Sequence, residues 1–516
     1  MDRPSRSRAL WSTALLTWAV QSALLPAPAR AEDQAEINRQ LLHRLEQLEK
    51  EVIELRKVAG VAAPAATVAS QPPTARLEEL EQKVRVLDRK NELATEAATE
   101  KAKTAPVVTA GPGGFQLRSA DTNFVATLHG NLQVDGRFFP DDNSAGTAND
   151  TILLRSVRPI LEGTVYGKYD FRIMLDVASG TTSGTGNNGF IQDAYVTARF
   201  IPEFQVRAGK FKEPVGLERL QSESNVLFVE RGFPTQLVPN RDVGIQVQGD
   251  LFQGTLNYQA GLFNGVADGG SGDIESADDE KEFAGRLFAH PFKLTSIEAL
   301  RGLGIGIAGT AGNQEGALRT FTTPGQQRFF GYRTGAGSSA ATANVVADGE
   351  HWRLAPQAYY YWGPFGVFGE YVLSEQQVRR DDGAATFGTL RHTAWQVAAS
   401  YILTGEDNSF KALAPRKPLN PGDGGWGAWE LTSRVGSLDV DGDAFPRFAN
   451  PLTAATGALS WGVGVNWHLN RNLKLSLNYE QTEFDLSNAG VAPNAVRAPL
   501  IAKGEKAVLF RAQVAF

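Results

Sequence analysis

The chain ends on Lys506-Ala-Val-Leu-Phe-Arg-Ala-Gln-Val-Ala-Phe516, with an apolar residue on every second position. Val508, Phe510, Ala512, Val514 and Phe516 share one face, and Leu509, Arg511 and Gln513 take the other, which is largely polar. A period of two marks a strand with two unlike faces, and soluble sheets contain such strands as well. A strand that stops on an aromatic carboxyl-terminal residue is less ordinary. In outer-membrane β-barrels the last strand closes the sheet, and a terminal Phe forms part of the assembly signal. Phe516 therefore predicts a barrel upstream, whose other strands must be found.

Working back from it, period-two segments occur at 123–139, 152–165, 169–178, 190–201, 204–212, 243–251, 254–262 and 281–290. The second half adds 302–311, 351–361, 365–375, 390–404, 426–440, 458–469, 472–484 and 505–516. If the first strand rises from the periplasm, Gly167, Pro202-Glu203, Phe252-Gln253, Gly363-Pro364 and Asn470-Arg471-Asn472 all fall on the periplasmic side. The connections 140–151, 178–189, 213–242, 263–280, 312–350, 376–389, 441–457 and 485–504 all fall outside. Short turns inside and long loops outside are the habit of bacterial barrels. Two periplasmic connections, 291–301 and 405–425, are longer than that habit allows. The pattern defines an all-β, 16-stranded antiparallel transmembrane barrel over 115–516. In Trp461-Gly-Val-Gly-Val-Asn-Trp-His468, Trp461, Val463, Val465 and Trp467 would face lipid, and Asn466 and His468 the lumen.

Composition agrees. The 516 residues include 53 Gly and 28 Phe but no Cys, which removes disulfides, thiol chemistry and Cys-based zinc sites. A net charge of −6 gives no support to a nucleic-acid partner. The mean hydropathy of −0.24 leaves no transmembrane-helix candidate beyond the N-terminus, yet it suits strands whose faces alternate.

The N-terminus reads as an export signal over 1–31. Arg3, Arg6 and Arg8 precede an apolar run from Ala9 to Leu25, and Ala29-Arg30-Ala31 fits small-x-small cleavage. Residues 32–100 read as an α-helical coiled coil in the periplasm. Leu41, Leu45, Leu48, Val52 and Leu55 step by four and three, and Leu77, Leu80, Val84 and Leu87 resume the seam before Asn91. A Pro/Ala linker at 59–75 interrupts it, and 101–114 reads as a flexible linker. An amphipathic spacer is the plainer reading of the same residues.

Enzyme constellations are scarce. The histidines are scattered, and no His-Glu-x-x-His motif is present. Gly163-Thr-Val-Tyr-Gly-Lys168 reads as a hairpin turn rather than a phosphate loop. Asp439-Val-Asp-Gly-Asp443 and the acidic run 268–282 could take calcium, but polar loop tips explain them better. The reading is of no enzyme, no metal and no cofactor. What stands out is inward-pointing positive charge: by strand parity Arg158, Arg172, Arg199, Arg207, Arg434, Lys474 and Arg511 face the lumen. Guanidinium groups make forked contacts with phosphate and carboxylate oxygens, and a ladder of them can pass an anion. Carboxylates at Glu162, Asp176, Asp193, Glu430 and Glu480 also point inward, so a mixed solvated wall is the alternative.

Several stretches resemble the phosphate-selective porin O/P family. These are Gly209-Lys-Phe-Lys-Glu-Pro-Val-Gly-Leu-Glu218, Phe228-Val-Glu-Arg231 and Asn240-Arg-Asp-Val-Gly-Ile-Gln-Val-Gln-Gly249. Gly261-Leu-Phe-Asn-Gly265, Leu403-Thr-Gly-Glu406, Gly464-Val-Asn-Trp467 and the ending Arg511-Ala-Gln-Val-Ala-Phe516 continue in the same order. The resemblance implies a homotrimeric channel with a constriction loop at 213–242 that carries Arg231. It also implies an anion site on the second strand, Arg155-Ser-Val-Arg-Pro-Ile160. Family members often show Arg-Arg-x-Arg-Pro-Ile there, and Ser156 departs from that pattern. Arg155 and Arg158 lie on opposite faces by strict alternation, so one of them needs a bulge or the strand end to reach the lumen.

The expectation is an outer-membrane porin passing small anions, phosphate suspected, with Arg155, Arg158, Lys212 and Arg231 at the constriction. Arg172, Arg199, Arg207 and Arg434 would form the wall field, and Phe516 the closing signal read by the barrel assembly machinery. Partners would be outer-membrane lipid and copies of the chain. A non-selective porin, or a structural or adhesin-like barrel with an occluded lumen, are the alternatives.

Overall fold

The computed structural model describes residues 73–140, 149–178, 190–272, 279–334, 344–381 and 386–516, with scattered helical positions between 43 and 57. The export signal, the first leucine seam and most of the Pro/Ala linker lie outside the described residues. The chain divides into two units, Met1–Ala105 and Pro106–Phe516.

In the first unit, helix α1 (Pro73–Thr104) carries the second seam. Pro73 occupies the first helical position, where its missing N–H costs no hydrogen bond. Val84 and Leu87 are half-buried, while most of the helix is exposed. Lys83–Glu79 and Arg89–Glu92 pairs, both at 2.8 Å, follow the helical spacing.

The second unit opens with a hairpin, β1 (Val107–Gly111) and β2 (Gly114–Arg118). Residues 101–114 were expected as a flexible linker, but the end of α1 and this hairpin occupy them. The β-branched run Val107-Val108-Thr109 and the Pro112-Gly113 turn explain the difference. The barrel strands follow: β3 (Val125–Phe138), β4 (Thr151–Val165), β5 (Tyr169–Leu175), β6 (Ile191–Ile201), β7 (Phe204–Lys212), β8 (Arg241–Leu251), β9 (Leu256–Phe263), β10 (Glu282–Ala289) and β11 (Leu303–Ala317). A short inserted pair, β12 (Phe321–Thr322) and β13 (Arg328–Phe330), precedes β14 (Val345–Trp362), β15 (Phe365–Arg380), β16 (Thr386–Ile402), β17 (Ala428–Asp439), β18 (Gly457–His468), β19 (Leu473–Asp485) and β20 (Glu505–Ala515).

Neighbouring barrel strands pair antiparallel, β11 with β14 across the inserted pair, and β20 returns to β3 from Val508↔Phe138 to Ala515↔Asn131. The sheet holds 18 strands; without the β1–β2 hairpin, which pairs only the lower end of β3, 16 strands close a barrel. The burial is inverted relative to a soluble fold. Trp461, Val463 and Leu477 are exposed, whereas Asn466, Asn478 and Glu480 are buried, as lipid and lumen faces require. The expected turn after β4 is present, with Tyr166 and Gly167 both at positive φ (53° and 66°), the geometry that matches strand twist.

Three connections fold inward, and they explain departures from a simple tube. The 213–240 loop buries Val215, Leu217, Phe228, Phe233, Leu237 and Val238 inside the barrel. From the extracellular side, Phe329 meets Phe233 at 5.9 Å, and Phe330 meets Phe445 at 6.1 Å. From the periplasmic side, the over-long 403–427 connection enters the lumen: Phe410 stacks on Tyr359 (5.3 Å), and its carbonyl accepts from Gln221 Nε2 at 3.1 Å. Segments that fold into a barrel need apolar anchors, and Phe is used for them.

Candidate pore constriction and chamber

The site is built where the 213–240 loop meets strands β3–β8. The first question is how Arg155 and Arg158 share a face. The β3–β4 register passes from Gln133↔Ser156 to Val134↔Leu154, so Arg155 is the extra residue of a β-bulge. The bulge lets both guanidinium groups turn inward. Arg155 Nε donates to Glu230 Oε1 at 3.0 Å, and Arg137 Nη2 reaches the same oxygen at 3.0 Å. Arg158 Nε donates to Asp176 Oδ2 at 2.7 Å, and its Nη1 contacts Glu223. Ser156, where family members often carry an arginine, is buried and donates its hydroxyl to Asp176.

A basic constriction was expected, with Arg231 carried on this loop. The loop is acidic: Glu213, Glu218, Glu223 and Glu230 outnumber Arg219 and Arg231 between 213 and 240. Glu223 and Glu230 seat on the wall cations Arg158, Arg155 and Arg137, so the constriction is an ion-paired joint rather than a row of free guanidiniums. Arg231 turns back on its own loop, donating to the carbonyls of Glu218 (3.2 Å) and Gln221 (3.0 Å), with Glu223 at 3.6 Å. Lys212 Nζ donates to the carbonyls of Arg219 (2.7 Å) and Gln221 (2.8 Å). Burial pushes the Glu223 carboxyl up, but Arg158, Arg231 and Arg155 outweigh it and hold it well below the usual range. Burial, with Arg231 and Arg241 close by, brings the Arg219 guanidinium down to about 9.

The wall residues divide. Arg172 is paired with Glu162 and with Asp193 (3.2 Å), and Arg434 with Glu480 at 2.6 Å. Arg199 pairs with Asp170 at 2.6 Å and donates to the Gly167 carbonyl, which places it at the periplasmic rim rather than deep in the wall. Arg511, also read as inward, makes two 2.7 Å bonds to Asp135. Arg207 alone of the expected wall arginines has no carboxylate partner among the described residues. The expectation of an open ladder is corrected accordingly: interior guanidiniums in low dielectric take carboxylates whenever these are within reach.

Below the loop lies a cavity of about 560 Å³ that opens toward the periplasmic turns. Eight Lys and Arg side chains line it against four carboxylate side chains. Besides the wall arginines these include Arg241, Lys411 of the inward periplasmic connection, Arg471 and Lys474. Sequence reading missed Glu218, Glu223, Glu230, Arg241 and Lys411; the acid count of the loop and the odd length of 405–425 were the available signals.

Glu213 sits at the base of the loop, fully buried, and neither carboxyl oxygen has a hydrogen-bond partner among the described residues. Burial, then Glu282 and Asp242 nearby, push its carboxyl well above the usual range, so the folded protein holds the proton. A carboxyl raised on folding favours the native state at low pH and withdraws that support as pH rises from its ordinary value through its folded one. Glu213→Gln is therefore expected to leave the melting of the detergent-solubilised barrel unchanged at pH 5 and to raise it at pH 8. A loss at pH 8 would mean that the group is charged and partnered.

The closed sheet with apolar outer and polar inner faces, constricted by a loop above an open chamber, defines a membrane channel of the porin class. A profile of the family described as phosphate-selective porin O and P matches residues 127–516, and the chain belongs to that family. Porin O of Pseudomonas aeruginosa is 26% identical over 413 residues, covering 75% of this chain and 90% of that protein. Among solved structures, the fold resembles an anion-selective porin from Comamonas acidovorans (TM-score 0.45, 15% identity, 76% of this chain and all of that one). It also resembles the outer membrane channel DcaP of Acinetobacter baumannii (TM-score 0.46, 12% identity, 78% of this chain and all of that one). The protein is an outer-membrane porin, a channel and not an enzyme.

Proposed function

We propose that the channel passes small anions by diffusion, with selectivity set in the periplasmic chamber. The observation that supports this is the twofold excess of cationic over anionic side chains lining that chamber. Charge focused by low-dielectric walls raises the local concentration of counter-ions and excludes co-ions. Arg155, Arg158, Lys212 and Arg231 contribute field more than contact, because each is already bonded to the loop or the wall. Phosphate passage is part of the proposal and draws on the family. A homotrimer, with the α1 seam joining copies as a coiled coil, and insertion by the barrel assembly machinery belong to the same reading.

In planar bilayers with a salt gradient, the reversal potential should have the sign of anion selectivity. A cation-selective potential would sink the proposal. The packed aromatic residues of the extracellular half favour one rival, an occluded structural barrel, and negligible conductance would decide for it.

A further inference from the structure

The chamber has a feature that a channel for mineral anions does not need. Arg207, the wall guanidinium without a carboxylate, lies with its central carbon 4.4 Å from the Tyr195 ring centre and 5.4 Å from that of Phe211. Its Nε donates to Thr197 Oγ1 at 3.0 Å, which fixes the plane of the group. Tyr195 and Phe211 meet edge to face (5.9 Å, 76°), and Phe211 is buried against Phe263. The result is a rigid corner with one available planar cation beside a half-buried aromatic surface.

The rest of the chamber continues that character. Ile160 and Met174, paired across β4 and β5, line it next to Tyr195. Opposite them the inward loop contributes half-buried Leu220 and Leu227. Inorganic phosphate, doubly charged and hydrated, gains nothing from these side chains. It would also have to compete with the carboxylates already seated on Arg158, Arg172 and Arg241. A ligand with a single anionic group and a flat apolar body uses both halves of the corner. The cavity volume of about 560 Å³ lies in the range that holds small organic ligands.

We propose that this corner is a binding site for aromatic monoanions, with Arg207 taking the anionic group and Tyr195 the ring. The proposal rests on the anion-channel reading above and names the class of anion that the chamber prefers.

Chloride current through the full-length protein in planar bilayers, titrated with sodium benzoate, sodium acetate or inorganic phosphate, tests it. Benzoate should half-block the current at a concentration roughly tenfold below acetate, and phosphate should follow acetate; a tenfold ratio corresponds to ~1.4 kcal/mol. Tyr195→Leu should shrink the benzoate–acetate gap below about threefold, roughly half of that free energy. Arg207→Gln should weaken block by both carboxylates, and Arg207→Lys should restore acetate block more than benzoate block. Gel mobility without boiling establishes that each variant is folded. An anion-selective channel blocked more strongly by phosphate than by benzoate, or equally weakly by all three, overturns this inference and leaves the channel reading standing. A cation-selective reversal potential overturns both.

Discussion

Replacing Glu230 with Gln is expected to weaken the barrel and raise its anion selectivity in one step. Glu230 is 7% exposed, and one of its oxygens takes both Arg137 and Arg155 at 3.0 Å. The amide keeps the shape but removes the charge that holds two half-buried guanidiniums. Removing one partner of a fully buried ion pair costs ~3–5 kcal/mol and an exposed pair is worth ~0–1 kcal/mol, so this joint with half-buried cations falls between the two. The inward loop is the element that Glu230 fastens to β3 and β4, so the variant should melt earlier in detergent and show noisier single-channel current. The two freed cations face the lumen, so the reversal potential should move further toward anions. An unchanged melting temperature together with an unchanged reversal potential would refute the joint. The pH dependence gives a second check. Burial pushes the Glu230 carboxyl up, but Arg155, Arg137 and Arg511 outweigh it and hold it at about 2, against an ordinary value of 4.5. A carboxyl lowered on folding stabilises the native state above its unfolded value and ceases to do so as pH falls through its folded one. The native protein should therefore keep the joint at pH 5 and lose it between about pH 4.5 and 2, approaching the variant.

How far the sequence could be read depends on the range of the interaction that decides each feature. Strand position is local: alternation around Trp461-Gly-Val-Gly-Val and Leu473-Lys-Leu-Ser-Leu is set by neighbours two residues apart, and those strands fall where the pattern puts them. Turn chemistry at Tyr166-Gly167 is equally local. Two arginines three apart left a choice between a bulge and the strand end, and the register shift at Arg155 decides for the bulge. The state of the cations was not legible, because it is decided across the lumen. Glu230 stands 75 residues from Arg155, and Glu223 stands 65 from Arg158. Strand parity says that Arg172 and Arg207 both point inward. It does not say that Asp193 neutralises one while Tyr195 and Phe211 cradle the other. The 403–427 connection was visible as an anomaly of length, but the side it folds to is fixed by Phe410 against Tyr359, on a strand far away in the chain.

Deleting Phe516, or replacing Gly130 with Val, should reduce the yield of closed barrel more than any single substitution in the lumen. The β3–β20 seam joins the two ends of the barrel sequence, so it carries the greatest loop-closure cost of any strand pair and is expected to form last. Phe516 extends the seam past β20. Its N–H donates to the Gly130 carbonyl at 3.0 Å, and Gly130 N–H donates to the Phe516 carbonyl at 2.9 Å. The ring lies directly on Gly130, where an added Cβ would come within 2.6 Å of ring carbon, closer than any side chain tolerates. Phe115 of the N-terminal hairpin covers the ring edge-on at 6.2 Å, and Asn472 Nδ2 ties the Pro112 carbonyl (2.7 Å) to that of Ala515 (2.6 Å). Two hydrogen bonds are worth ~1 kcal/mol each, so their loss together with the ring contact is enough to move the equilibrium at a slow final step. Gly130→Val leaves Phe516 in the sequence but takes away its seat, whereas the deletion removes the residue itself. Refolding into detergent, followed by gel mobility with and without boiling, should show both variants impaired and Phe115→Ala only mildly so. In cells the two should separate. If Phe516 is also read as a signal during assembly, the deletion should lose more folded protein in the outer membrane than Gly130→Val does, although their detergent yields are alike. Equal losses in cells would confine Phe516 to closing the seam.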